Sequence, residues 1–305
     1  MKQLAVVSGK GGTGKTTVAA ALGRLSGGAV MADCDVEAPN LHLVLPHTPL
    51  AEEAFFGNRV ASIDRAACLG CSSCEDACRF GALRHKGRIV WVDERTCEGC
   101  GACTYACPHD AIAMEPRRTG TVLLARAEGG AFAHAALDIA ADGSGKLVTE
   151  VRRSAAVQAR QDGQGLVIID GAPGTGCAVI ATITGSDLIL AVTEPTRSGW
   201  HDLERLLDVA GHFGIPALVV VNRWDIEPDL TRGIEAASRG RGAEIAGRIP
   251  FDPAVGRAMA EGLPVTALGG QAAAAIEEIW ERLRARLEQL PGDGRRPLTL
   301  RREGG

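Results

Sequence analysis

Residues 9–16 read Gly9-Lys10-Gly11-Gly12-Thr13-Gly14-Lys15-Thr16, and they lie between the apolar run Leu4–Val7 and the Ala-rich stretch Thr16–Leu25. The spacing is G-x-x-x-x-G-K-[ST], in the strand–loop–helix setting that gives this string its meaning. Glycines let successive backbone N–H groups wrap phosphate oxygens, and the helix start adds its positive end. Lys15 is expected to reach the β- and γ-phosphates and Thr16 to ligate Mg²⁺. Gly9, Lys10, Gly11, Gly12, Thr13, Gly14 and Thr17 complete the expected nucleotide contacts.

Outward from the loop, short apolar runs alternate with helical stretches. Ala29–Ala32 ends in Asp33-Cys34-Asp35. Leu166–Ile169, Leu188–Val192 and Ala217–Val221 read as strands, and Trp200–His212 and Ile226–Ser238 as helices. A closing helix over Ala272–Leu290 carries Ile276, Ile279, Leu283 and Leu287 at helical spacing. Alternation of this kind predicts an α/β fold, a mostly parallel P-loop NTPase sheet flanked by helices. The 305 residues, 46% of them hydrophobic, suffice for one large domain or two ordinary ones. A net charge of −4 makes no global electrostatic case for nucleic acid. The longest apolar runs fall far short of the ~20 residues of a membrane span. The N-terminal run meets Gly9 too early for a signal-peptide core, so the expected setting is cytoplasmic, with reduced thiols.

Eight of the ten cysteines lie between Cys68 and Cys107. Cys68, Cys71, Cys74 and Cys78 form one run, and Cys97, Cys100, Cys103 and Cys107 repeat it 29 residues later, followed by Pro108. This is the C-x2-C-x2-C-x3-C spacing of bacterial ferredoxins, in which the fourth cysteine of each run ligates the other run's cluster. One [4Fe–4S] cluster should therefore take Cys68, Cys71, Cys74 and Cys107, and the other Cys97, Cys100, Cys103 and Cys78. The repeat continues past the ligands, Gly81-Ala82-Leu83 aligning with Asp110-Ala111-Ile112, while Arg79 stands where Pro108 stands in the second run. Two Zn(Cys)4 sites are the competing use of eight thiolates. The organisation expected is a P-loop ATPase domain in two parts, 1–55 and 117–290, an inserted 2[4Fe–4S] ferredoxin domain over 56–116, and a tail at 291–305.

With Lys10 inside it, Gly9-Lys10-Gly11-Gly12-Thr13-Gly14-Lys15-Thr16-Thr17 resembles the deviant Walker A loop of the MinD/ParA/Mrp/nitrogenase-iron-protein class of P-loop ATPases. The resemblance implies an ATP-dependent homodimer in which Lys10 reaches the partner's phosphates. It also implies that Asp35, in Asp33-Cys34-Asp35-Val36-Glu37-Ala38-Pro39-Asn40, positions the attacking water and that Asp33 supports the Mg²⁺ shell. Asp170, in Ile168-Ile169-Asp170-Gly171-Ala172-Pro173-Gly174, would hold Mg²⁺ through water. Asn222-Arg223-Trp224-Asp225 resembles a base-reading N-K-x-D element. Asn222 and Asp225 are its base-contacting candidates, with ATP weighted over GTP. Together with the cysteine insert, the chain is similar, from residue 1 to about 265, to ferredoxin-containing MinD/Mrp-like ATPases.

That family resemblance implies an ATP-hydrolysing iron–sulfur protein with ATP, Mg²⁺ and two [4Fe–4S] clusters, coupling nucleotide-dependent dimerisation to electron transfer or redox sensing. The alternatives are a cluster-assembly or carrier ATPase of the Mrp kind and a MinD-like spatial organiser with a structural ferredoxin module. Mrp-type carriers use a C-terminal C-x-x-C, and this sequence has no cysteine after Cys177. The tail has no large apolar face, so membrane association is not expected. A redox or cluster-accepting protein partner is implied. Cys34 and Cys177 are expected to be packed, inert thiols, and His134, His201 and His212 structural or surface residues.

Overall fold

The computed structural model describes residues 1–139, 141 and 143–291; the expected tail beyond residue 291 lies outside them. The chain forms two compact units. One comprises Met1–Glu52, Val122–Ala136 and the chain from Ser144, and the other Glu53–Thr121 with Leu137–Gly143. Residues 137–143, assigned from the sequence to the main body, thus belong to the second unit.

The first unit begins with β1 (Lys2–Ser8), α1 (Lys15–Ser26), β2 (Val30–Asp33) and β3 (His47–Phe55). Within the second unit come β4 (Asn58–Ile63), α2 (Ser73–Asp76), β5 (Leu83–Lys86), β6 (Ile89–Val92), α3 (Ala102–Ala106) and β7 (Ile112–Arg117). The chain then runs through β8 (Gly120–Ala127), β9 (Gly130–Leu137), α4 (Ser144–Gln161), β10 (Leu166–Pro173), α5 (Cys177–Ile183) and β11 (Leu188–Thr193). It ends with α6 (Arg197–His212), β12 (Ala217–Asn222), α7 (Pro228–Gly240), β13 (Glu244–Ile249), α8 (Pro253–Ala260), α9 (Val265–Leu268) and α10 (Gln271–Gln289).

Nine strands form one sheet in the order β13-β12-β11-β1-β10-β2-β9-β8-β3, and the pairs from β13 through β9 are parallel. Its central strands are buried on both faces, as parallel strands covered by helices must be. Alternation along β1 sends Leu4 and Val6 into one apolar layer with α1 and α10, and Ala5 and Val7 into the other with α5 and α6. The register of β1, β10 and β2 sets Val6 opposite Asp170, and Asp170 opposite Asp33. Both acids therefore stand at the carboxyl ends of neighbouring parallel strands, where α/β sheets place their ligand sites. Among the described residues no helix is long and apolar enough to cross a membrane.

Residues distant in sequence form an aromatic stack that the sequence reading did not anticipate. His134 lies flat on Phe132 at 4.7 Å and stacks with His42 at 5.8 Å, and His47 meets His134 edge-on at 5.9 Å. Burial, with His42 and His47 alongside, pushes the His134 imidazole down to about 4. The folded state keeps His134 neutral where the unfolded chain is protonated, so its contribution to stability is present above pH ~6.5 and is lost as the pH falls toward 4. His134→Phe should flatten that loss. Urea midpoints followed from pH 7.5 down to 5 test this, and parallel slopes for the variant and the native chain would refute it.

Candidate functional site

The phosphate loop leaves β1 at Ser8 and turns through left-handed glycines at Gly12 (φ 81°) and Gly14 (φ 91°) before α1 begins at Lys15. Gly9 is required for a different reason: a Cβ there would lie 2.5 Å from the backbone carbonyl of Asp202, on α6. Lys15 is buried and its Nζ lies 2.5 Å from Asp170 Oδ1. Burial works against the Lys15 charge, but Asp170 first, then Asp33 and Asp35, more than restore it, and its pKa rises. The other Asp170 oxygen, Oδ2, and Thr13 Oγ1 are buried without a hydrogen-bond partner. Such orphaned polar atoms are uncommon in protein interiors and mark a place where a polar ligand or ion belongs.

Beside the loop lies a cleft of about 950 Å³, walled by residues 11–18, Asp35, Asn40, Asn222, Arg223 and the 249–259 segment. Thr16 and Thr17 face it, as does the half-buried Asp35, whose carboxyl is pushed up chiefly by burial against the opposing pull of Lys15. Asp33 is buried beside Asp170. Its oxygens accept from the N–H groups of Asp35 (3.1 Å) and Leu41 (3.0 Å), so it braces the 33–41 loop from within. Burial and the neighbouring Asp170 push its pKa up.

Of the two base-reading candidates, Asn222 lines the cleft and Asp225 does not. Asn222 Nδ2 donates to Thr13 O at 2.8 Å and Asn222 Oδ1 accepts from Arg223 N, so the amide braces the phosphate loop. Asp225 turns away, accepting from Phe251 N at 2.8 Å, and does not line the cleft. Lys10 is held within its own chain, 2.7 Å from Glu194 and within hydrogen-bond reach of Thr196 and Ser198. Arg223, a left-handed residue (φ 53°), bonds Glu194 and the Gly12 carbonyl. Glu194 and Arg223 are the functional neighbours that sequence reasoning missed, though both sit in stretches it had singled out. Cys34 is buried as expected, and burial drives its thiol pKa up. Cys177 is exposed at the start of α5, contrary to the packed thiol expected.

The second unit brings all eight predicted cysteine ligands together in two groups. One cavity is lined by Cys68, Cys71, Cys74 and Cys107, the other by Cys78, Cys97, Cys100 and Cys103. Each group takes three cysteines from one run and the last from the other. The backbone repeats with the same 29-residue offset. Gly70 and Gly99, Ser72 and Gly101, and Gly81 and Asp110 all have left-handed φ. Asp64 N donates to Ala111 O and Asp93 N to Ala82 O, while Cys68 N and Cys97 N donate to Asp64 O and Asp93 O. β4 pairs with β7, tying the strand before the first run to the strand after the second. In each run the second cysteine is exposed and the third buried.

Burial pushes the Cys74 and Cys103 thiols up, while other cysteines of the two groups receive hydrogen bonds. Ala111 N donates to Cys107 Sγ at 3.4 Å, and Ser73 Oγ lies 3.5 Å from Cys71 Sγ. Burial alone would raise the Cys78 thiol, but the N–H groups of Ala82, Phe80, Leu83 and Gly81 outweigh it and lower its pKa. Among the described residues, no three His, Cys, Asp or Glu side chains converge to hold a single ion.

Residues 4–265 match the family model described as the CobQ/CobB/MinD/ParA nucleotide binding domain. An uncharacterized protein of Methanocaldococcus jannaschii is 30% identical over 92% of this chain and 96% of its own length. The iron-sulfur cluster carrier protein of Pyrococcus furiosus is 28% identical over 42% of this chain and 48% of its own. Among solved structures, the P. furiosus cell division ATPase MinD superposes with a TM-score of 0.55, covering 93% of this chain and 99% of that one at 20% identity. That likeness is one of fold.

Two glycines of the second unit separate strain from collision. Gly81 is left-handed with open space where a Cβ would go, whereas a Cβ at Gly99 would lie 2.5 Å from the Arg59 carbonyl. Gly81→Ala should cost roughly 1–2 kcal/mol, and Gly99→Ala clearly more. Denaturation of the two variants checks the order; equal losses would mean that Arg59 yields freely.

Proposed function

Because the chain belongs to the CobQ/CobB/MinD/ParA nucleotide-binding domain family, we propose that it is an ATP-hydrolysing iron–sulfur protein whose nucleotide-dependent dimerisation is coupled to electron transfer or redox sensing. The observation that carries this reading is the pair of four-cysteine cavities, each completed by a cysteine from the other run. Each thiolate of a cubane cluster binds its own iron, so the four need not meet at one point. A Zn(Cys)4 site demands that four sulfurs lie ~2.3 Å from one ion, whereas the crossed sharing of the fourth cysteine is the ferredoxin pattern. The ferredoxin-like insert is then built on residues 56–116. When bound, a [4Fe–4S] cluster takes up and releases single electrons.

In the nucleotide site, the loop N–H groups and Lys15 would bind the β- and γ-phosphates. Thr16 and the free oxygen of Asp170 would hold Mg²⁺, which neutralises phosphate charge. Lys15 must exchange its bond to Asp170 for phosphate oxygens, which releases Asp170 as nucleotide enters. Asp35, at the cleft wall, would orient the water that attacks the γ-phosphorus. Lys10 would leave Glu194 and reach the phosphates of a second copy, in the manner of a deviant Walker A lysine. A cluster-carrier role is the second reading, favoured by the similarity to the Pyrococcus carrier proteins over about half of their length.

Lys15→Ala should abolish nucleotide binding, whereas Lys10→Ala should keep binding but lose dimerisation and hydrolysis. Light scattering with ATP and Mg²⁺ is the check, and an unchanged nucleotide-dependent dimer in Lys10→Ala would sink the trans role. Anaerobically purified protein should contain about eight irons per chain. Cys78→Ser should alter the EPR signal of the cluster held by Cys97, Cys100 and Cys103, and damage confined to the other cluster would overturn the crossed assignment.

A further inference from the structure

The far edge of the sheet carries a feature unrelated to nucleotide or cysteine chemistry. β13 is the edge strand, with α10 packed on one face and α7 on the other. Between these helices a groove of about 450 Å³ opens over the strand. Trp224 and Ile245 are partly exposed in it, Ile279 is buried beneath, and its polar sides carry Arg239, Arg248 and Arg282 together with Glu235 and Glu278.

The guanidinium groups are held in place. Arg248 donates from Nε and Nη2 to the buried carboxylate of Glu235, at 2.6 and 3.0 Å, and lies over the Trp224 ring at 5.3 Å. Arg282 Nη1 donates to the Ala246 carbonyl of the edge strand at 2.7 Å. Arg239 lies 3.6 Å from Glu235, and its side chain is 60% exposed. Each arginine has five N–H donors, so every one retains donors beyond these bonds. Of the nearby acids, Glu235 is consumed by two arginines and Glu244 is paired with Arg286 at 3.1 Å, which leaves Glu278 as the exposed carboxylate of the groove.

We propose that this groove is a docking site for an acidic segment of a partner protein, its carboxylates received by Arg239, Arg248 and Arg282. Charge complementarity selects the occupant: three guanidiniums against the two lining carboxylates Glu235 and Glu278 leave the groove net positive on a chain whose net charge is −4. The planar fork of arginine matches a carboxylate with two parallel bonds. Because Arg248 and Arg282 are already fixed by Glu235, Trp224 and Ala246, binding orders few new side chains and retains more of its gross energy. A nucleic acid would need a longer basic track than these three residues supply.

The test uses the full chain and a fluorescein-labelled Asp/Glu-rich peptide, followed by anisotropy. The expected result is saturable binding that weakens with added salt and falls at least about tenfold in Arg239→Glu, with ATP binding unchanged as the control for folding. Arg282→Glu, read in the same way, should give a comparable loss. Equal binding of a peptide with Gln for Glu, indifference to both variants, tighter binding of an RNA oligonucleotide, or no binding at all would each overturn the proposal.

Discussion

The Lys15 ammonium and the Asp170 carboxylate lie 2.5 Å apart in the interior, and neither charge could be there without the other. Removing one partner of such a pair leaves an uncompensated buried charge, which costs about 3–5 kcal/mol. Lys15 opens α1 and Asp170 sits near the end of β10, so their pairing depends on β1 and β10 being neighbours in one register. Asp33 lies opposite Asp170 on β2, and with Asp35 it places four ionisable groups around one point. The cluster is not relaxed: burial and mutual repulsion push Asp33 upward, and one Asp170 oxygen has no partner. A polyanionic nucleotide with its metal ion would relieve that imbalance, drawing Lys15 toward phosphate while the acids gain a cation.

The second unit is organised by a different constraint, the need to bring two cysteine runs to two shared cavities. Duplication satisfies it with little sequence. The same left-handed turns, the same aspartate-to-backbone bonds and the same buried third cysteine recur 29 residues apart. Its small core repeats as well, Ala61 and Val90, Leu83 and Ile112 filling equivalent places around Cys74 and Cys103. That core is slight, and so dense a set of ligands suits a unit whose folding is completed by what it binds.

What could be read from the sequence was whatever a fixed spacing enforces. The loop at 9–16 and the cysteine runs leave little freedom, because phosphate wrapping and cluster geometry each demand residues at set intervals. The central strands were legible as unbroken apolar runs, since both of their faces are covered. β3, β8 and β9 were not anticipated: β3 is an edge strand exposed along most of its length, so it carries little hydrophobic signal. The N-x-x-D spacing does not say which way each side chain turns. Asn222 turns to the Thr13 carbonyl and Asp225 to the Phe251 amide. The stack of His42, His47 and His134 was invisible because pairing across the sheet, not spacing along the chain, assembles it.

The crossed cysteine sets have a consequence for how the protein is made. As the chain leaves the ribosome, Cys68, Cys71, Cys74 and Cys78 emerge first, yet the cavity lined by the first three is closed only by Cys107. Cys78 in turn waits for Cys97, Cys100 and Cys103. Neither group of four is complete until Cys103 and Cys107 have been made. The nucleotide sheet waits as well, because β2 must find β9 across nearly a hundred intervening residues. Both the cysteine sets and the pairing of β2 with β9 thus join segments of chain that are made well apart in time.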